Sequence, residues 1–377
     1  MKLFCVSLVG SFQRATGFQG AQARNQNGSP QKTRRARREE PVRGKSRETY
    51  QRERSPHSRP YRRALPVLWS PTYSTGCLTF FILNENSSFI QATRIGGHAY
   101  RYLAARARRG RVVSSFSGGI NLLFEGGEAF VPVQTHAVPL HPWAIQVSGH
   151  LLRADEGTQA SFASEEIAIG DTVISLANAK VEHLRLPEIS NEEAMIALSR
   201  SSLLAQFIVE CRKTHSRNLF QPQIDAILRR WHESGEIDTI FDLIGLGTGS
   251  TPSGDDILVG ILSGMSILEH ADDQAKECLI RLRASLQETA RALTPLPSTQ
   301  MLLTTCERSF AEPILALLVN LTSSNASEDV ILKNVEHVAQ LGHQSGLAIL
   351  SGLTGFLCAH AMLHSKNPAR TEQRQKE

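Results

Sequence analysis

The sequence Gly245-Leu246-Gly247-Thr248-Gly249-Ser250-Thr251-Pro252-Ser253-Gly254-Asp255-Asp256 runs directly into the apolar stretch Ile257-Leu258-Val259-Gly260-Ile261-Leu262. The alternate glycines at 245, 247 and 249 free the backbone to adopt positive φ and to approach a ligand closely. Thr251 and Pro252 predict a helix start, with Thr251 as the N-cap and proline at the first helical position. From Ile257 onward the apolar residues recur at helical spacing, so the stretch predicts a glycine loop that leads into a buried helix.

Two carboxylates, Asp255 and Asp256, fall in the first turn of this predicted helix. A negative charge there complements the helix dipole, which accounts for one aspartate without any function. Adjacent helical residues point about 100° apart, so we expect only one carboxylate to face the loop. A carboxylate repels a bound anion unless a Mg²⁺ ion lies between them or the ligand supplies an N–H donor. We therefore predict Asp255 and Asp256 as catalytic residues or as Mg²⁺ ligands.

The motif Ser-Gly-x-x-Ile-Leu-x-Gly occurs twice, at 253–260 and, 92 residues later, at 345–352. Each copy follows a loop that contains glycine, and Ser345 is predicted as the N-cap of the second helix. If the two helices pack together, the free N–H groups at their starts face one cleft and can bind phosphate or carboxylate. The alternative is a pair of glycine-containing helices in a tight core whose similarity arose by chance.

The predicted ligand-binding residues lie at these two helix starts and are glycines or carry hydroxyl groups: Gly247, Gly249, Thr251, Ser253, Gly254, Ser345 and Gly346. Loop amides would hold an anion and the hydroxyls would donate to it, although capping competes for Thr251. His343, in the second loop, is predicted as a catalytic group that protonates a leaving group or binds an oxyanion. A helix-end histidine without a role is the alternative. The glycine spacing does not fit a Rossmann motif, and without Gly-Lys-Thr/Ser a P-loop is excluded.

The positive charge of the chain is concentrated at its N-terminal end. Residues 1–63 contain 16 Lys/Arg and 4 Asp/Glu, a net +12, whereas the remaining residues sum to −7, with 25 basic and 32 acidic side chains. Residues 1–75 are rich in Arg, Gln, Ser and Pro, which predicts a disordered basic extension. A cleaved signal, a transit peptide, a nucleic-acid-binding tail and a non-functional extension all stay open for it. The mildly acidic remainder gives no sign of nucleic-acid or membrane binding.

The six cysteines, at 5, 77, 211, 278, 306 and 358, form neither a Cys-x-x-Cys pair nor a Cys/His ligand pattern. Such usage favours a reducing compartment and argues against a structural zinc site. No run reaches the ~18 apolar residues that a transmembrane helix requires. We therefore expect a cytoplasmic protein.

Strand-like and helix-like segments separate along the chain. Short apolar runs with glycine turns predict a small β-barrel or sandwich over 76–187, with strands at Val112–Phe116, Ile120–Phe124, Ala129–Val133, Ala144–Val147, Glu166–Asp171 and Thr172–Leu176. Helical periodicity then predicts an all-helical domain over 188–365 that carries the pseudo-repeated glycine motifs, with a disordered tail at 366–377. Besides the helix that follows the glycine loop, its predicted helices lie at about 191–211, 222–231, 239–244, 272–293, 298–309, 312–322, 328–341 and 346–363. The predicted fold class is α+β.

The glycine motifs carry a resemblance to a known family. Gly-Leu-Gly-x-Gly-x-Thr-Pro-Ser-Gly-Asp-Asp-x-Leu-x-Gly, with Leu-Gly-His-x-Ser-Gly farther on, resembles the family of the AllH-type oxamate carbamoyltransferase subunit. The segments Thr294–Ser298 and Phe310–Pro313 match a third part of the family pattern, and Val112–Leu123 and Pro142–Ile145 fit its β region. The resemblance covers about 76–363.

This resemblance implies a subunit that works with other protein subunits on carbamoyl phosphate, oxamate and oxalurate in purine catabolism, within allantoin degradation. The chain departs from the family pattern in two places. Leu347-Ala348 stand where the second motif usually continues Ala-Asp, so a carboxylate is lost. Pro295 replaces the second threonine of a Thr-Thr pair.

Three functions remain open. The first is an enzyme subunit that binds small carboxylate or carbamoyl (phosphate) ligands at the two helix starts, where fixed dipoles would position the reacting groups. The second is a non-catalytic partner subunit of a multi-subunit complex, whose glycine-rich helices dock on another chain. The third, which we favour least, is a nucleic-acid contact through Arg34–Arg63.

Overall fold

The computed structural model describes residues 88–126, 129–149, 153–214, 221–234, 236 and 238–366. The predicted extension at 1–75 and residues 367–377 of the predicted tail lie outside the described residues. Within the described chain a β-barrel precedes a region of helices, so the predicted α+β fold class is confirmed.

The barrel region consists of short strands and one short helix, α1 (Gly97–Ala104), which connects the first two strands. The predicted strands are all present, and three further strands, β1, β6 and β9, were not predicted. The strands are β1 (Ser88–Gly96), β2 (Arg108–Phe116), β3 (Gly119–Phe124), β4 (Phe130–Thr135), β5 (Ile145–Val147), β6 (Gln159–Ala163), β7 (Glu166–Ile169), β8 (Thr172–Ser175) and β9 (Lys180–Glu182).

Eight strands close into the barrel in the order β5-β4-β3-β2-β6-β7-β8-β1, because β1 also pairs with β5. The two halves of β1 have different partners: Ser88–Gln91 pairs with β8, and Ala92–Ile95 pairs with β5 across a bulge. β9 adds a short parallel ladder to the end of β1. Apolar residues at alternate strand positions form the buried core of the barrel, among them Val112, Ile120, Leu122, Phe124, Val131, Val133 and Ile145.

The helical region follows close to the predicted positions. Its helices are α2 (Asn191–Ser199), α3 (Ser201–Thr214), α4 (Gln221–Ser234), α5 (Asp238–Phe241), α6 (Ser253–Leu268), α7 (Asp273–Leu293), α8 (Leu296–Cys306), α9 (Glu312–Thr322), α10 (Glu328–Ala339) and α11 (Ser345–Lys366). A second apolar core, separate from that of the barrel, lies between these helices.

The helical run predicted from 191 to 211 is two helices that meet at Arg200. The guanidinium of Arg200 donates hydrogen bonds of 2.7–3.0 Å to carbonyl oxygens at 320, 321, 323 and 326, and so satisfies acceptors at the end of α9. In the part of the chain that the structure describes, Asn191–Cys211 is the one segment long and apolar enough to cross a membrane, on length and composition alone.

Glu312, at the start of α9, connects the helices to the barrel. Its carboxylate accepts hydrogen bonds from the guanidinium of Arg94 in β1 and from the amide of Leu140, the latter at 2.8 Å. Two residues earlier, the amide of Phe310 donates to the carbonyl oxygen of Leu184 at 2.9 Å. The segment Phe310–Pro313, which carries part of the family resemblance, is therefore a joint between the two regions.

Helices α6 and α11 pack side by side, as the repeated motif predicts. A Cβ at Gly260 would overlap the carbonyl oxygen of Ile349, and a Cβ at Gly352 would overlap that of Ile257. Because Ile257 and Gly260 are the motif equivalents of Ile349 and Gly352, each contact is the image of the other in a pseudo-twofold pair. These glycines serve a contact inside the chain, which removes them from the docking surface that the second hypothesis requires.

Candidate functional site

The glycine loop before α6 has the backbone geometry that its sequence predicts. Gly245, Gly247 and Gly249 have φ values of 73°, 130° and 92°. A Cβ at Gly245 would overlap the carbonyl oxygen of Leu293, and a Cβ at Gly247 would come within 2.7 Å of the amide nitrogen of Ser253. The first two glycines therefore let the loop pack closely on neighbouring backbone, while Gly249 lies at the exposed tip.

The prediction that Thr251 is the N-cap of α6 is wrong, because Pro252 occupies that position and makes no side-chain capping bond. Pro252 has an extended ψ of 144°, so helical geometry begins only at Ser253. The hydroxyl of Thr251 lies instead 3.2 Å from the hydroxyl of Ser345. Ser345 is likewise the first residue of α11 and not its N-cap. The two helix starts are thus joined by a direct hydroxyl contact.

Asp255 is fully buried, with 0% of its surface exposed, and both of its carboxylate oxygens have partners. Oδ1 accepts from the amide of Gly245 at 2.8 Å, and Oδ2 accepts from the hydroxyls of Ser298, at 2.6 Å, and Thr294. Burial raises the pKa of this carboxyl, and the three donors oppose the rise. Asp255 therefore ties the glycine loop to the start of α8.

Asp256 is 2% exposed, and its Oδ1 has no hydrogen-bond partner among the described residues. Burial raises the pKa of Asp256 to about 7; the neighbouring charge of Asp255 adds to the rise and the hydroxyl of Ser345 opposes it. A buried acceptor without a donor costs about 1–3 kcal/mol, so native structures leave few of them. The Oδ1 of Asp256 is therefore the oxygen of this aspartate pair that can accept a hydrogen bond from a ligand.

Three helix starts meet at these two carboxylates. Asp255 and Asp256 lie in the first turn of α6, Ser298 lies in the first turn of α8, and Ser345 begins α11. Each helix N-terminus carries about half a positive charge. The two adjacent carboxylates therefore offset the partial positive charges of three helix N-termini. This explains why two aspartates lie at helix starts that are otherwise suited to an anion.

Two of the predicted ligand-binding glycines use their amides within the chain. The amide of Gly254 donates to the carbonyl oxygen of Leu246 at 2.8 Å, and the amide of Gly346 donates to that of Leu341 at 2.9 Å. A Cβ at either glycine would overlap a carbonyl oxygen of the preceding segment. These amides hold each loop against its helix and are not available to an anion.

His343 and Ser253 lie at the starts of α11 and α6, respectively. His343 is exposed in the turn before α11, and Ser253 is half-buried at the first position of α6. With the repeat offset of 92, His343 is the counterpart of Thr251, and Ser253 that of Ser345. The same offset maps Asp256 onto Ala348, so only the first half of the pair has a carboxylate here. The roles predicted for His343 and Ser253 stay predictions.

Sequence reasoning missed Thr294 and Ser298 as partners of Asp255, which they reach from 39 and 43 positions away. The available signal was a threonine and a serine four residues apart around two prolines, a pattern that places two hydroxyls at one helix start. Because no local rule links that segment to Asp255, only the packing of α8 against α6 reveals the contact.

The oxygen atoms that remain open at the two aspartates favour a ligand with an N–H group over a metal ion. The described residues contain no group of three or more His, Cys, Asp or Glu side chains that could hold a metal. With the oxygens of Asp255 engaged, a Mg²⁺ ion would find one open protein oxygen, on Asp256, and Mg²⁺ requires near-octahedral oxygen coordination. Mg²⁺ binding by Asp255 and Asp256 stays a prediction.

Comparison with known proteins identifies the family. The family model of the oxamate carbamoyltransferase subunit AllH matches residues 243–359, which include both helix starts, and the model of the AllH family N-terminal domain matches residues 91–181 in the barrel. No curated protein and no solved structure matches the chain. The two matched segments together cover more than half of the chain, and the chain belongs to the AllH family.

Proposed function

We propose that this chain is the ligand-binding subunit of a carbamoyltransferase and that a small carbamoyl- or carboxylate-bearing compound binds between the starts of α6 and α11. Membership of the AllH family indicates an oxamate carbamoyltransferase subunit, which implies other protein subunits. The observation that carries the proposal is the buried Oδ1 of Asp256, an acceptor to which none of the described residues donates, where the two helix starts meet. The proposed setting is cytoplasmic allantoin degradation.

An N–H group of the ligand would satisfy this oxygen. Carbamoyl and amide nitrogens donate hydrogen bonds, and a hydrogen bond to a charged acceptor is about twice as strong as one between neutral groups. The hydroxyl of Ser345 interacts with Asp256, and the hydroxyl of Thr251 lies 3.2 Å from that of Ser345, so both can orient a carbonyl oxygen of the ligand. The exposed loop tip at 248–250 offers backbone amides for the anionic end of the ligand.

The proposed reaction requires a base at the attacking nitrogen. Transfer from carbamoyl phosphate forms a C–N bond, breaks the bond between the carbonyl carbon and the phosphate oxygen, and releases one proton from the nitrogen. Phosphate leaves with the electron pair of the broken bond. Asp256, with a pKa raised to about 7 by burial, can accept the hydrogen bond from the nitrogen and then its proton.

The other half of the pair is proposed to hold the leaving phosphate. His343 and Ser253 belong to this half by the motif offset, and Ala348 replaces the counterpart of Asp256, so this half has no carboxylate of its own at that motif position. Asp255 has a positioning role, because it holds the glycine loop against α8 and leaves Asp256 to the ligand.

The test is a thermal-shift titration of the full chain with carbamoyl phosphate, oxamate and oxalurate, each with and without Mg²⁺. We expect at least one compound to raise the Tm by several degrees at millimolar concentration, since ligand at 100 times its Kd stabilises by about 2.7 kcal/mol. Asp256→Asn should abolish this rise, because it replaces one carboxylate oxygen by an NH₂ group and removes the negative charge that the N–H group of the ligand would contact.

Asp155→Asn is the matched control, since Asp155 is an exposed aspartate in the barrel region, far along the chain from the site. It should leave the ligand-induced rise unchanged. The proposal fails if none of the three compounds shifts the Tm, or if Asp256→Asn and Asp155→Asn respond to ligand alike.

A further inference from the structure

The outer face of the barrel carries arginines that the proposed site does not use. Between Ser88 and Phe124 the sequence contains six arginines and no aspartate or glutamate. Arg94 is engaged with Glu312, and Arg108 lies over the ring of Tyr102 at 3.5 Å. Three of the others are exposed and close together on or beside β2; we call them the arginine face: Arg106, Arg109 and Arg111.

The guanidinium groups of the arginine face have no ion pair or side-chain hydrogen bond within the ranges that the structure describes. Arg109 and Arg111 are two residues apart on β2, so their side chains leave the same side of the sheet about 7 Å apart. Soluble surfaces usually intersperse charges of both signs, because unpaired like charges repel. An unpaired cluster of this kind indicates a counter-charge from outside the chain.

The arginine face is also concave. Arg106 and Arg109 line a cleft of about 460 Å³, and Arg111 lines an adjoining cleft of about 370 Å³. The ladder from β2 to β6 sets Arg109 opposite Ser161 and Arg111 opposite Gln159, so a polar residue lies beside each of these arginines. The surface therefore has both charge and shape to receive a chain segment.

We propose that the arginine face docks an extended acidic segment of a partner subunit. A chain in extended conformation places alternate side chains about 7 Å apart, which matches the spacing of Arg109 and Arg111. Because β2 is paired on both edges, with β3 and β6, the segment cannot add a strand and must be recognised through its side chains. Asp or Glu at alternate positions would pair with both guanidiniums at once.

A protein segment fits this surface better than a nucleic acid does. Proteins that bind single-stranded nucleic acid stack bases on aromatic side chains, and among the described residues no exposed aromatic side chain lines either cleft. Glu125 lines both clefts and would repel any uninterrupted run of negative charge, whether of phosphates or of carboxylates. A peptide can place a hydroxyl or basic residue opposite Glu125 between its acidic ones.

The experiment is fluorescence anisotropy of the full chain with labelled peptides in low salt. The probe alternates Asp and Ser over twelve residues, and its comparison peptide has the same composition with the six aspartates in one block. We expect tighter binding of the alternating peptide and about tenfold weaker binding of it to Arg109→Glu/Arg111→Glu, because two exposed pairs are lost and replaced by repulsion.

Arg281→Glu/Arg283→Glu is the matched control, since these arginines are exposed on α7, are also two residues apart, and make the same change in net charge. It should weaken binding less than about twofold. The basic N-terminal residues are present in every variant, so they add only a common background. Arg109→Gln/Arg111→Gln repeats the test if the charge-reversed protein does not fold.

Equal loss in the two double variants, or no preference between the peptides, would overturn the proposal. A twelve-residue oligothymidylate is the third probe. If it binds more tightly than the alternating peptide, and this binding is lost in Arg109→Glu/Arg111→Glu, the face is a nucleic-acid surface and the acidic-segment proposal is wrong.

Discussion

Substituting the two adjacent aspartates one at a time should separate a structural carboxylate from a functional one. In Asp255→Asn, the new NH₂ group faces the hydroxyls of Thr294 and Ser298, which now donate to the carboxylate. Both hydroxyls must turn to accept, and two buried hydrogen bonds to a charged group are lost. At about 1.5–3 kcal/mol for each such bond, with part recovered by the turned hydroxyls, we expect a loss of about 3 kcal/mol.

Asp256→Asn makes the same chemical change one residue away, but its Oδ1 has no donor to lose. The neutral amide also removes the cost of a buried charge. We expect its free energy of unfolding to stay within about 1 kcal/mol of wild type at pH 7 or to rise.

The assay is urea unfolding followed by circular dichroism, analysed by linear extrapolation, at pH 7 without ligand. A loss of about 3 kcal/mol in a chain of this size lowers the Tm by roughly 4–6 °C, so a thermal scan should agree. The reasoning is refuted if the two single variants lose the same stability, or if Asp256→Asn loses more.

Two further predictions concern protonation and helix packing. Because burial raises the pKa of Asp256 to about 7, the folded state holds this proton over a pH range where the unfolded state has released it. Wild-type stability should therefore fall as pH rises from about 4 to 7, by up to about 1.4 kcal/mol per pH unit for this group, and Asp256→Asn should flatten the slope; equal slopes in urea titrations would contradict the raised pKa. Gly260→Ala should cost about 1–3 kcal/mol, since its Cβ would overlap the carbonyl oxygen of Ile349, whereas Gly355→Ala in α11 meets nothing within 4 Å and should be neutral or stabilising by up to about 1 kcal/mol. Equal effects of the two alanines on unfolding would show that α6 and α11 do not pack at Gly260.

Local sequence rules identified most of the fold. Strands such as β3 and β4 were predictable because apolar residues alternate around a glycine turn. β1 and β6 were missed because polar residues interrupt the alternation of apolar residues in them. β1 is held in the sheet by pairing with three strands, β5, β8 and β9, which lie later in the chain. The break at Arg200 was missed because its guanidinium acts on α9, far along the chain.

The candidate site was predictable only as far as its local parts. The repeated motif predicted the pairing of α6 with α11, and the glycines predicted the positive φ of the loop. The sequence could not show that Asp255 is hydrogen-bonded within the protein while Asp256 keeps an open oxygen. That difference depends on Ser298 and Ser345, which come from other helices. Thr251 failed as an N-cap for the same reason, since its hydroxyl contacts Ser345.

A structure of the chain with oxamate bound tests the central claim most directly. The measured quantity is the distance from the amide nitrogen of the ligand to the Oδ1 of Asp256. We predict a hydrogen bond of about 2.7–3.2 Å, with the ligand between the starts of α6 and α11. Oxamate bound elsewhere, or bound there with the Oδ1 of Asp256 still lacking a donor, would contradict the proposed site.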